Sequence, residues 1–163
     1  MGGFVGASGS ESLQVTFDSV GADCASPIDT ADGDLSITVL GTTVDNPSNQ
    51  LDTACIELDD TAEWIRFDGP CGAFFNTTTI STCHPETDYD TTLRVFEYFG
   101  GACPGVEVGC NDDSNGFGCT LDGLNRKSKV SFTSINNATY FIRVGGYHGA
   151  TGNYKLTIDT DCQ

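Results

Sequence analysis

The stretch Tyr140-Phe141-Ile142-Arg143-Val144-Gly145-Gly146-Tyr147-His148-Gly149-Ala150-Thr151-Gly152-Asn153-Tyr154-Lys155-Leu156-Thr157-Ile158 contains two runs that alternate in character. Tyr140, Ile142 and Val144 recur at every second position, and so do Tyr154, Leu156 and Ile158. Successive side chains of a strand point to opposite faces, so each run places its apolar set on one face. The glycines between the runs read as a turn. Two half-buried strands joined by a turn imply a sheet with a covered face.

The same period extends outward to Leu13, Val15 and Phe17, to Leu93 and Val95, and to Val130 and Phe132. Glu63-Trp64-Ile65-Arg66-Phe67 and residues 75–82 are rich in aromatic and β-branched types and read as further strands, as do residues 39–44. No stretch sustains an i, i+3, i+4, i+7 pattern of helical length. Roughly eight strands separated by turn-rich loops predict an all-β fold, a two-sheet antiparallel β-sandwich of jelly-roll type. Residues 1–10 are Gly/Ser-rich and read as a flexible N-terminal segment, leaving 11–163 as a single domain. The loops at 45–53, 84–90 and 111–128 carry most of the unusual chemistry.

Composition narrows the partners. The 163 residues include 23 acidic and 7 basic side chains, a net charge of −16. Phosphate neutralisation needs clustered Lys and Arg, which argues against nucleic acid and against an anionic membrane surface. Cations are the natural counterpart of such a chain. At 38 % hydrophobic and 18 % charged residues the chain is too apolar to be a disordered acidic polymer. No apolar run approaches the ~20 residues of a membrane span, so membrane insertion is not expected.

Cysteines stand at Cys24, Cys55, Cys71, Cys83, Cys103, Cys110, Cys119 and Cys162, with no Cys-x-x-Cys pair. An even number spread along the chain reads as a disulfide-stapled domain in an oxidising compartment. Cys110 and Cys119 bracket a short, turn-rich loop and are the favoured pair; Cys24 with Cys162 would tie the two ends together. The sequons Asn76-Thr77-Thr78 and Asn137-Ala138-Thr139 agree with secretion and make Asn76 and Asn137 candidate glycosylation sites. The first residues lack a basic n-region and a long apolar core, so the expectation is either a signal already removed or a domain taken from a larger chain.

Five oxygen-bearing residues gather in two loops: Asp88 and Asp90 before one strand, and Asn111, Asp112 and Asp113 after Cys110. Calcium takes six to eight such ligands. If the two loops meet, these five residues form a candidate calcium site, although their order does not fit an EF-hand. Asp88 and Asp90, two apart, would share a side if the strand began there. The competing reading is that they make Asx-turns at strand ends.

Catalysis finds little support in the sequence. Cysteines in disulfides cannot serve as nucleophiles, and His84 and His148 both read as surface loop histidines. Trp64, Tyr140 and Tyr154 read as core. Tyr98, Phe99, Phe141 and Tyr147 are either exposed rings, suited to stacking against a carbohydrate, or a packed sandwich edge, the reading favoured here.

An ordered set of motifs resembles the bacterial pre-peptidase C-terminal domain, the PPC domain, in its cysteine-rich form. Ala62-Glu63-Trp64-Ile65-Arg66-Phe67 is similar to the family's Asp-Val-Trp-Tyr-x-Phe strand, and Ser81-Thr82-Cys83 to its Ser-Thr-Cys. Tyr89-Asp90-Thr91-Thr92-Leu93 looks like its Phe-Asp-Thr-x-Leu, and Cys110-Asn111-Asp112-Asp113 like its Cys-Asn-Asp-Asp. Tyr140-Phe141-Ile142-Arg143-Val144-Gly145-Gly146-Tyr147 resembles its Tyr-x-Ile-Arg-Val-x-Gly-Tyr, and residues 149–154 its Gly-x-x-Gly-x-Tyr ending. The order holds over residues 24–158. The resemblance implies a secreted, non-catalytic, jelly-roll-like module of the kind appended to proteases and other extracellular proteins. Related collagen-binding modules bind calcium, which supports a calcium site by analogy. Glu63 departs from the family's apolar position.

These readings converge on a secreted, non-enzymatic binding or adhesion module, held by disulfides and calcium, whose partner is an extracellular protein or a carbohydrate. The alternative is a structural subunit of an extracellular filament or surface layer, associating with copies of itself by exchange of the strand at Leu13, Val15 and Phe17. A glycan-acting enzyme using paired carboxylates is the third reading.

Overall fold

The computed structural model describes residues 20–30, 34–47, 61–70, 72 and 75–162. The strand expected at Leu13, Val15 and Phe17, the N-terminal segment 1–10, and Cys55 and Cys71 lie outside the described residues.

The described residues form eleven strands: β1 (Ile28–Asp29), β2 (Ser36–Thr42), β3 (Ala62–Asp68), β4 (Asn76–Ser81), β5 (Thr91–Tyr98), β6 (Val106–Asn111), β7 (Thr120–Leu121), β8 (Leu124–Asn125), β9 (Lys129–Ser134), β10 (Thr139–Gly146) and β11 (Asn153–Asp161). One sheet has the order β1-β3-β10-β5-β6 and the other β2-β11-β4-β9, with β7 and β8 forming a small hairpin. Among these strands the pairings are antiparallel except β1 with β3. This is the disulfide-stapled β-sandwich that the alternating runs imply. No helix among the described residues is long and apolar enough to cross a membrane.

The alternating residues meet between the sheets. Ile65, Phe67, Leu93, Val95, Tyr140, Ile142 and Val144 of the first sheet pack against Ile80, Val130, Phe132, Tyr154, Leu156 and Ile158 of the second. Each fully buried large apolar side chain contributes about 1.5–3 kcal/mol. Glu63 sits at one side of this core, where its carboxylate accepts the Tyr154 hydroxyl and spans from β3 to β11. Room for it comes from Gly41 and Gly21, where an added Cβ would lie 2.2 Å and 2.7 Å from Glu63 atoms.

The first sheet is also covered on its outer face. Trp64, Phe96 and Phe141 form a second cluster with Tyr98, Cys24 and Cys103. Arg94 and Arg143 are directly opposite each other in register and fully buried, with the Arg143 guanidinium 5.7 Å from the centre of the Trp64 ring. Phe141 and Tyr98 therefore belong to packed structure, their rings 5.4 Å apart edge to face, whereas Phe99 and Tyr147 are exposed.

Two expected cysteine pairs are corrected. Cys24 bonds Cys103, not Cys162, because the Trp64 N–H donates to the Gly21 carbonyl and holds the segment around residue 24 beside the outer cluster. Cys162 instead follows β11 in the other sheet. Cys119 bonds Cys83, not Cys110. Cys110 is not in a loop: it lies in β6, opposite Arg94, on the outer face of the first sheet. Cys110 and Cys162 are each disulfide-bonded as well.

The two sequons also differ in placement. Asn137 is exposed in the turn before β10. Asn76 is only 3 % exposed at the start of β4, opposite Ser134. Its side-chain amide is buried in the folded chain, unlike that of Asn137.

Candidate metal centre

Strand pairing brings the two acidic loops together. β5 and β6 run antiparallel with Leu93 opposite Asn111, so the residue before β5 meets the residues after β6. Carboxylate oxygens of Asp90, Asp112 and Asp113 all lie within 4.8 Å of one another.

Backbone and hydroxyl contacts fix this corner. The Tyr147 N–H donates to the Asp90 carbonyl at 3.1 Å, and the Thr91 N–H to the Arg126 carbonyl at 2.9 Å. Ser128 is fully buried, with its hydroxyl against the carbonyl oxygens of both Thr91 and Asp112. Neither loop can move independently while these bonds hold.

Asn111 and Asp88 serve other roles. The Asn111 Oδ1 accepts the Lys129 N–H at 3.1 Å and its Nδ2 donates to the Asp113 carbonyl at 3.1 Å, which shapes the loop instead of joining the carboxylate group. Asp88 turns the other way. It accepts the Asn153 N–H at 2.8 Å and the Asn153 Nδ2 at 3.0 Å, anchoring the start of β11. An added Cβ on Gly152 would lie 2.2 Å from Asp88 Oδ1, so glycine is required there. Asp88 and Asp90 do not share a side, because β5 begins at Thr91 and both precede it.

The three carboxylates line a pocket of about 400 Å³ together with Leu124, Asn125, Arg126 and Tyr147. Leu124 and Asn125 arrive on the β7–β8 hairpin, whose turn Asp122-Gly123 has φ of 52° and 80°. Such a two-residue turn needs left-handed backbone at both positions, which Asp-Gly adopts readily. The Arg126 Nε lies 3.8 Å from Asp90 Oδ2. Arg126 and Tyr147 were not foreseen as pocket residues; the Asp-Gly dipeptide was the readable signal for the hairpin.

The electrostatics of the corner are unbalanced. Burial pushes the Asp112 carboxyl up to about 6, reinforced by the charges of Asp113 and Asp90 and opposed by His148. Burial also raises Asp90, again with Asp113, against the pull of Arg126. Asp90 Oδ1 and Asp112 Oδ1 are buried and have no hydrogen-bond partner among the described residues. A buried carboxylate oxygen without a donor costs free energy unless a proton or a cation satisfies it.

No protein-family model matches this chain, and no curated protein matches it. One solved structure with a similar chain trace is CorA of Methylomicrobium album BG8, described as a surface-associated copper-binding protein important in copper acquisition. It is 11 % identical, with a TM-score of 0.46, covering 85 % of this chain and 98 % of that one. At that identity no residue of CorA can be carried over.

Proposed function

We propose that this chain is a secreted, non-catalytic binding module of PPC type whose Asp90–Asp112–Asp113 corner holds a calcium ion. The observation that carries the reading is the pair of buried, unpartnered oxygens, Asp90 Oδ1 and Asp112 Oδ1, within a group of three converging carboxylates. An all-oxygen donor set favours a hard cation over a thiophilic one. The ion would neutralise like charges that Arg126 and His148 offset only in part. It would also tie the start of β5 to the end of β6. The disulfides support an oxidising, extracellular setting. A cation that binds only the folded state raises the unfolding temperature with its concentration. Calcium should raise the melting temperature, EDTA should reverse the rise, and Asp112→Asn should abolish it. A melting temperature unmoved by millimolar calcium would refute the reading.

A second reading, a filament subunit that accepts a strand from another copy, is favoured by the β2 edge. Among the described residues β2 is the end strand of its sheet, Leu40 on it is 72 % exposed, and a groove of about 480 Å³ runs between β1 and β2 beside Ile28, Ile37 and Val39. An unprotected edge invites pairing with another chain. Sedimentation of native material distinguishes the readings: a ladder of oligomers supports strand exchange, and a single monomeric boundary rejects it.

A further inference from the structure

A groove of about 820 Å³, twice the volume of the acidic pocket, lies on the outer face of the second sheet. Its floor is sheet surface. Thr157 is opposite Ser81, Asp159 opposite Thr79, and Ser81 opposite Lys129, so hydroxyls and one charge of each sign lie side by side across β11, β4 and β9. Its walls are the segment at Cys83 and His84 and the loop at residues 116–120.

Those walls are held firmly. The Cys83–Cys119 disulfide joins them with Cα atoms 4.1 Å apart. The buried Lys127 ammonium donates to the His84 carbonyl at 2.6 Å, and His84 Nε2 lies 3.2 Å from the Thr157 hydroxyl. Gly118 has φ of 78°, and an added Cβ would lie 2.5 Å from the Cys83 carbonyl oxygen, so only glycine lets the two walls approach this closely. On this pinned loop Phe117 is fully exposed, with no ring contact among the described residues.

We infer that this groove is a binding site for a neutral oligosaccharide, with one sugar ring stacked on Phe117 and its neighbour's hydroxyls over Thr79, Ser81, Thr157 and Asp159. A rigid apolar ring beside converging polar groups is the usual composition of a small-ligand site. Sugars present an apolar ring face and a rim of hydroxyls that both donate and accept. The floor offers the same mixture in return, donors and acceptors with no excess of either charge. A net charge of −16 disfavours an acidic polysaccharide, and a basic peptide would be drawn to the acidic corner instead. The site shares no residue with the carboxylate pocket, so it goes beyond the calcium reading and stands or falls separately from it.

The test is a ¹H–¹⁵N titration of the full chain with cellohexaose, chitohexaose, maltohexaose and an α-linked mannohexaose at millimolar concentration, in calcium and again in EDTA. The expected result is that at least one sugar shifts the amides of residues 79–84, 116–120 and 157–159 in both buffers. Phe117→Ala should weaken that binding by about fivefold or more, and Phe117→Trp should retain it. Because Phe117 is wholly exposed, neither change should alter the melting temperature. Loss of the calcium-induced melting shift with retained sugar binding would remove the calcium reading alone. The inference is overturned if no sugar in the panel shifts these amides, if the shifts survive Phe117→Ala undiminished, or if peptides selected from a display library occupy the groove instead.

Discussion

Glu63 shows how one residue can depart from a pattern without breaking the fold. It is a charged residue in β3 among the apolar side chains of Trp64, Ile65 and Phe67, yet it is 9 % exposed. Burial raises its carboxyl above the usual range, while the Tyr154 hydroxyl and the Thr42 N–H oppose that shift. The side chain links the two sheets where a Val would only fill space. Glu63→Ala would leave the buried Tyr154 hydroxyl without an acceptor and should cost about 1–3 kcal/mol in urea unfolding. Glu63→Gln keeps an acceptor and removes the charge, so its cost should stay below about 1 kcal/mol. Equal losses in the two variants would show that the charge matters, not the hydrogen bond.

At the scale of elements, the loop pinned by Cys83 and Cys119 is the main determinant of surface shape. The bridge closes a separation of 36 residues and fixes β4's end to the loop that carries Phe117. Replacing both cysteines with alanine should lower stability by about 3 kcal/mol, read from the same unfolding curves. A double variant as stable as the native chain would mean that Lys127 and the backbone bonds hold the loop alone. Strands with clean alternation, such as β9 and β11, were legible because one face is buried and the other wet. β6 was not: Val106 and Val108 do alternate with Glu107 and Gly109, but the run is short, its valines are exposed, and it leads into Cys110 and the acidic residues, so it read as the mouth of a loop. β3, β5 and β10 are buried on both faces, which hides the outer cluster of Trp64, Phe96 and Phe141 from any period-two argument. The acidic residues were legible as a type. Their convergence was not, because it depends on β5 pairing with β6, and Arg126 and Tyr147 arrive from distant segments.

For the whole molecule, the acidic charge and the sandwich meet at one corner. Asp112 rises from an ordinary value of 3.8 to about 6, and Asp90 and Glu63 shift in the same direction. A carboxyl raised on folding holds its proton in the native state after the unfolded chain has released it. Asp112 therefore makes the calcium-free protein lose stability as pH rises from about 4 to about 6, and Asp90 and Glu63 act in the same direction. Calcium favours the charged forms, so the slope should flatten or reverse when it is present. Melting temperatures across this range, in EDTA and in calcium, test the sign; a calcium-free profile that rises with pH would contradict it.

The most direct measurement is a calorimetric titration of calcium into the native chain at pH 7, repeated with Asp90→Asn and Asp112→Asn. The account predicts one saturable site per chain, lost or weakened at least about tenfold in each variant, with the fold retained. No binding heat at any calcium concentration, or identical isotherms for the three proteins, would contradict it.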